Sequence, residues 1–392
     1  MDAPPSPTAR KTHRRFFSVL IVALVIVAIL AVGTVVAVVR GAKGYYALSP
    51  GTAPTLTDSA SCRARNVGDV ELVLPGGTPC ARLIVPPNHA HPVNGKLFMV
   101  DVLVGPAPPW QYFLDKVGLL HHFSDGTQLV PANEILGNVP SAQLGCQDSR
   151  QMDTSTQGAV VVALRRLGYQ VGESDQGARL DVVQPGTPAA TAGLQCNDIV
   201  TNIGTSPVHT AQDLVNVIHQ HRPGDSVEIT VKRAGAARTV IAKLTGTPAI
   251  AGKPVAPSTA FLGVTSEPVV NFQLPFDVSI NVGGIGGPSA GLSLTLGLLD
   301  LLSNGQLTGG HKVAATGTIN LDGSVGDVGG VAQKTVAVRK AGAELFLVPK
   351  DELKDAQSEA GPRLKVIPVT SLDDALHALQ ALGGQVPPAP AS

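Results

Sequence analysis

Four glycines fall within five residues at Gly283-Gly284-Ile285-Gly286-Gly287, between an extended apolar segment, Phe276 to Val282, and a leucine-rich stretch, Leu292 to Leu302. Glycine enters the left-handed backbone region at no steric cost, so the run reads as a tight turn from a strand into a buried helix. Pro288 belongs in the first helical turn, where a missing N–H costs nothing. Ser289 then lies at the helix N-terminus. Exposed amides and the positive end of the helix dipole meet there, a setting that holds an oxyanion, with Gly287, Pro288 and Ala290 as the candidate cradle. The serine is placed like a nucleophile.

A hydroxyl in that position needs a base within reach. Downstream, the alternating segment around Thr318 reads as a strand, and Gly329-Gly330 opens a helix that carries Lys334. A free lysine titrates near ~10.4 and is a cation at neutral pH. Burial in an apolar pocket lowers that value by several units. Val328, Val331, Ala332 and Val336 surround Lys334 in sequence, and Asp327 is the nearby carboxylate that would matter if it pointed inward.

Taken together, Gly287-Pro288-Ser289-Ala290-Gly291, then Thr316-Gly317-Thr318-Ile319-Asn320-Leu321-Asp322-Gly323, then Gly329-Gly330 with Lys334, resemble the proteolytic domain of the Lon family of serine–lysine peptidases. The resemblance implies an α/β fold shared with domain 2 of ribosomal protein S5. It also implies Ser289 as nucleophile, Lys334 as general base, and Thr316 as the hydroxyl that positions the lysine. No cofactor is implied, and related domains assemble into rings, often of six. The same pentapeptide also satisfies the G-x-S-x-G elbow of α/β-hydrolases. That fold needs a later histidine on a loop. Only His311 and His377 follow Ser289, and His377 sits in the helical pattern Asp374 to Leu379.

At the other end of the chain, residues 1–15 are polar and basic, with Arg10, Lys11, Arg14 and Arg15, and residues 16–39 contain no charge. Such a run is long enough to cross a bilayer as a helix. The basic residues before it place the N-terminus in the cytoplasm and everything after Arg40 outside, as a single-pass protein of the cell membrane. A cleaved signal peptide is the rival, but the apolar core is too long and has no convincing small-x-small site. The four cysteines, Cys62, Cys80, Cys146 and Cys196, then lie in an oxidising envelope. Three pairings are open. Cys62 with Cys80 is the local one and leaves Cys146 with Cys196.

The 392 residues allow two or three domains, and 29 basic against 29 acidic residues give no footprint for nucleic acid. Residues 40–157 form an extracytoplasmic region of short β-like pieces (Val70 to Leu74, Ala81 to Val85, Leu97 to Val104) and a helical stretch from Trp110 to Leu120. Its pairs His89/His91 and His121/His122 lack companion ligands, so no metal is expected. Residues 158–247 carry a helix, a strand at Ala178 to Val183, Pro185-Gly186-Thr187-Pro188-Ala189-Ala190, Asp198-Ile199-Val200, and Thr210 with Asp213 spaced as a capping box. This order resembles a bacterial PDZ domain, with Asn197 where the family has glycine; asparagine tolerates the left-handed turn. By position, Gly168, Tyr169 and Val171 would form the loop that takes a peptide carboxylate. Residues 248–258 read as a linker, 259–382 as the Lon-like domain, and 383–392 as a disordered tail.

The chain is thus expected to be multidomain, mixing α/β and α+β parts. No G-x-x-x-x-G-K-[ST] occurs. The order of apolar helix, PDZ and Lon-like domain resembles the ATP-independent, membrane-anchored PDZ–Lon (YlbL-like) bacterial proteins. That implies an endopeptidase for unfolded, flexible or membrane-tethered proteins, with protein or peptide substrates recruited or gated by the PDZ domain. The alternative is a catalytically silent PDZ scaffold that binds protein C-termini.

Overall fold

The computed structural model describes residues 27, 31–53, 55–56, 82–136, 141–247, 259–282 and 285–388. The basic segment 1–15, most of the apolar run 16–39, the expected strand Val70 to Leu74, Cys62 and Cys80, the linker 248–258 and residues 389–392 lie outside them. Residues 31–42 are helical. Among the described residues, no helix is long and apolar enough to cross a membrane.

The chain forms two compact units, and they divide residues 40–157 between them. In the first, strand Tyr45–Pro50 pairs antiparallel with Val102–Pro106 on one edge and Gln128–Pro131 on the other. Helix Pro109–Lys116 begins on a proline, as a first helical position allows.

The second unit holds the sites. Its larger core surrounds a four-stranded parallel sheet in the order Lys365–Val369, Leu345–Pro349, Lys312–Ala315, Lys96–Phe98. Leu345–Pro349 is buried along its whole length, as a central parallel strand covered on both faces must be. Helix Gly291–Leu302 is buried at every residue but Leu301, is mostly leucine apart from Ser293, Thr295 and Asp300, and packs against helix Ser141–Arg166. Strand Ser279–Asn281 pairs with Arg82–Ile84. This core takes in strands near residues 82–84 and 96–98 and a long helix, all of which lie outside residues 259–382. A three-residue strand carries no periodicity by which its sheet could be recognised.

The smaller core belongs to the PDZ-like module. Its sheet runs Ala236–Lys243, Ser226–Arg233, Ile199–Ile203, Gly172–Val183, Val264–Gln273. Asn197 is left-handed at φ 71°, as the sequence requires. Thr210 and Asp213 close the expected capping box on helix Ala211–His219. Asp198, fully buried, takes a bidentate pair from Arg233 at 2.6 Å on each oxygen. The module's limits differ from 158–247. Residues 158–171 pack into the larger core, while strand Val264–Gln273, beyond the linker, completes the sheet.

Cys146 and Cys196 form a disulfide, which ties helix Ser141–Arg166 to the PDZ-like module. The start of the expected disordered tail is docked: Gln385 donates its amide to Gln306, and its side chain accepts from Asn304. His89 stacks on Phe276 with centroids 4.0 Å apart. Among the described residues, no group of histidines, cysteines and carboxylates could hold a metal.

Candidate active site

Gly287 is left-handed at φ 84°, the conformation that the glycine run was read to require. The helix itself begins at Gly291 with Ala290 as its N-cap, so Pro288 and Ser289 precede it instead of sitting in its first turn. The Ser289 carbonyl is fixed by the Gly317 amide at 2.9 Å and the Thr316 hydroxyl at 3.2 Å, and Leu292 donates back to the Gly317 carbonyl at 3.1 Å. Gly317 cannot be replaced cheaply, because its φ is 144° and a Cβ would meet Val325 at 2.7 Å. The serine turn and the Thr316-Gly317 bend are one stitched unit.

Lys334 enters from the second turn of helix Val331–Lys340, whose N-cap Gly330 is left-handed. It is 3% exposed, and its amine donates to Thr316 Oγ1 at 3.3 Å. Burial pushes the ammonium down from its ordinary 10.5 to about 8, against the charges of Asp101 and Glu352, which favour the protonated form. Thr316 touches both the lysine and the Ser289 main chain, so the structure brings the three residues together. Among the described residues, no hydrogen bond joins the Ser289 hydroxyl to the Lys334 amine. Hydrogen bonds between reacting groups are often long before substrate arrives.

The oxyanion cradle differs in its members. Pro288 has no amide hydrogen, and the Gly287 amide is already given to the Asp148 carbonyl at 2.9 Å. The amides of Ser289 and Ala290 have no acceptor among the described residues, and these are the donors that remain. Asp101 and Glu352, remote in sequence, are the carboxylates that act on Lys334, whereas Asp327, near it in sequence, does not. Glu352 accepts the Val328 amide at 2.9 Å and so braces the loop before the lysine helix, with its other oxygen buried and unpartnered. The hydrolase reading finds no histidine at the serine: His377 is exposed on helix Leu372–Ala381, and His311 pairs with Glu344 at 2.7 Å.

Gly168 and Tyr169 close the end of helix Ser141–Arg166, with their amides bonded to the carbonyls of Arg165 and Leu164. Tyr169 and Val171 pack into the larger core, and Tyr169 meets Phe276 edge-on. A helix-capping glycine there imitates a binding loop. An open edge is found instead on strand Val264–Gln273, paired on one side only among the described residues and flanked by helix Ala211–His219. Just before it, the carbonyls of Leu262 and Gly263 accept from Ala189 and Gln184, while the amides of those two residues have no acceptor among the described residues. Donors without competing acceptors suit an anion.

Two family models match this chain. Residues 165–244 match the PDZ domain, and residues 277–381 match the Lon protease (S16) C-terminal proteolytic domain. The Lon protease of Malacoplasma penetrans is 34% identical over 118 residues, covering 29% of this chain and 15% of that protein. The serine protease Do-like HtrA of Lactococcus lactis is 34% identical over 108 residues, covering 27% of this chain and 22% of that one. The crystal structure of the PDZ domain of an SdrC-like protein from Listeria monocytogenes is 26% identical and covers 23% of this chain and 86% of that one, with a TM-score of 0.20. The chain spans less than a quarter of the length of these two curated relatives. A PDZ domain and a Lon-type proteolytic domain are joined in one chain.

Proposed function

We propose that this chain, which combines a PDZ domain with the proteolytic domain of a Lon-type serine protease, is an ATP-independent endopeptidase anchored in the cell membrane. The observation that carries the reading is Lys334: a buried amine with a lowered pKa, hydrogen-bonded to the threonine that also holds the serine's main chain. In its neutral form Lys334 takes the proton of Ser289 Oγ as that oxygen attacks a peptide carbonyl. The amides of Ser289 and Ala290 receive the oxyanion. Lys334 then gives its proton to the leaving amine, and water releases the acyl group from Ser289.

The likeness to ATP-independent PDZ–Lon proteins supports substrates that arrive unfolded, flexible or tethered. The charge-free run 16–39, preceded by basic residues, supports the anchor and an extracytoplasmic site. The open edge of Val264–Gln273 supports recruitment of an extended peptide as an added strand, its carboxylate at the amides of Leu262 and Gly263. Assembly into a ring, six subunits being the expected number, follows from the likeness to Lon-type domains. The decisive experiment incubates residues 41–392 with a denatured dye-labelled protein, without ATP, beside Ser289→Ala and Lys334→Ala. Cleavage by the parent and by neither variant is expected. Peptide binding without cleavage by any form would establish the scaffold instead.

A further inference from the structure

Both matched segments leave out nearly all of helix Ser141–Arg166. That helix nevertheless touches the serine turn twice. The Asp148 carbonyl accepts the Gly287 amide, and the Ser155 hydroxyl donates to the Pro288 carbonyl, each at 2.9 Å. Ser155 is 5% exposed, and the approach is close: a Cβ on Gly291 would lie 2.9 Å from its oxygen. On its other side the helix is fastened to the PDZ sheet. Arg150, 4% exposed, pairs with Asp181 on strand Gly172–Val183 and with Glu267 on strand Val264–Gln273. A guanidinium so enclosed depends on those carboxylates to stay in place.

We infer that Ser155 and Arg150 are positioning residues for the reaction at Ser289, and the inference rests on the serine–lysine reading above. The Pro288 carbonyl and the Ser289 amide belong to one planar peptide group, so holding the carbonyl aims the amide in the opposite direction. Ser155 thereby orients one of the two open oxyanion donors. Arg150 fixes the helix that presents Ser155, and does so from the strands of the peptide-binding module. The serine turn is therefore keyed to the PDZ sheet by two side chains, Ser155 and Arg150, that lie outside both matched segments. A donor that loses its aim weakens transition-state binding and leaves ground-state binding alone.

The test uses the full chain, solubilised in mild detergent, with a denatured dye-labelled protein as substrate. Ser155→Ala is expected to lower kcat about 10-fold while KM stays within about 2-fold, and Ser155→Thr, which keeps the hydroxyl, to restore most of it. Arg150→Met touches no atom of the turn and is expected to lower kcat likewise. If it fails to fold, Glu267→Gln replaces it with a smaller drop in the same direction. Amide hydrogen exchange at Gly287 supplies a readout independent of cleavage and is expected to quicken in both variants. Unchanged kcat in Ser155→Ala, or a fall restored by neither Thr nor any other hydroxyl, overturns the inference while leaving the protease reading intact. If the parent cleaves nothing, the protease reading fails, and unchanged Gly287 exchange in both variants overturns the positioning role by itself.

Discussion

The PDZ-like module and the proteolytic domain were written into the chain in different ways. Most of the PDZ sheet and both its helices come from one run, Gly172 to Lys243, with a single strand added from Val264–Gln273. The proteolytic domain is gathered from three separated stretches, with the PDZ run inserted between helix Ser141–Arg166 and strand Ser279–Asn281. An inserted module is held at both ends by the host. Here it is held a third and a fourth time, by the Cys146–Cys196 disulfide and by Arg150. The inserted module and its host are thus joined by one helix and its cross-links.

The comparison is broken or sharpened first by cutting each core separately. Leu97 and Ile229 are both fully buried, one in the split domain and one in the inserted module. Leu97→Ala is expected to cost about 2–5 kcal/mol and to speed amide exchange in strand Leu345–Pro349. Ile229→Ala should cost as much but act on Ser226–Arg233. If Leu97→Ala leaves the parallel sheet untouched, residues 96–98 are not part of the proteolytic domain. Next in size is the disulfide, which joins residues 50 apart in sequence. Cys196→Ser is expected to cost about 2–4 kcal/mol in chemical denaturation. Smallest is the cap of helix Ala211–His219, local to the module. Thr210→Ala is expected to cost about 1 kcal/mol and to leave exchange at the serine turn unchanged.

Legibility followed the same division. The strand–turn–helix around Ser289, the lysine helix, the capping box of Thr210 and Asp213 and the left-handed Asn197 were readable because each is fixed by residues adjacent in sequence. The partners of Lys334 were not. Asp101 lies just after strand Lys96–Phe98, far from Lys334 in sequence, and Glu352 sits in a single 3₁₀ turn, so neither leaves a local pattern. The segment read as a peptide loop carries a related ambiguity. Gly168, left-handed at φ 86°, caps a helix with the same glycine signal that a binding loop would show, and only the bonded amides separate the two. Strand Val264–Gln273 joins the PDZ-like sheet although it lies within residues 259–382, and sequence order hides an edge strand that returns late.

The central claim is that Lys334 works as a neutral amine, and the pH dependence of cleavage tests it most directly. A base must be unprotonated to act, so kcat/KM should rise with pH through a midpoint near 8 and level off above it. Glu352 favours the ammonium, so Glu352→Gln should move that midpoint to lower pH. A rise centred near 8 that shifts downward in Glu352→Gln and disappears with activity in Lys334→Ala is the expected result. A rate independent of pH from 6.5 to 9, or one that survives Lys334→Ala with the same profile, would contradict it.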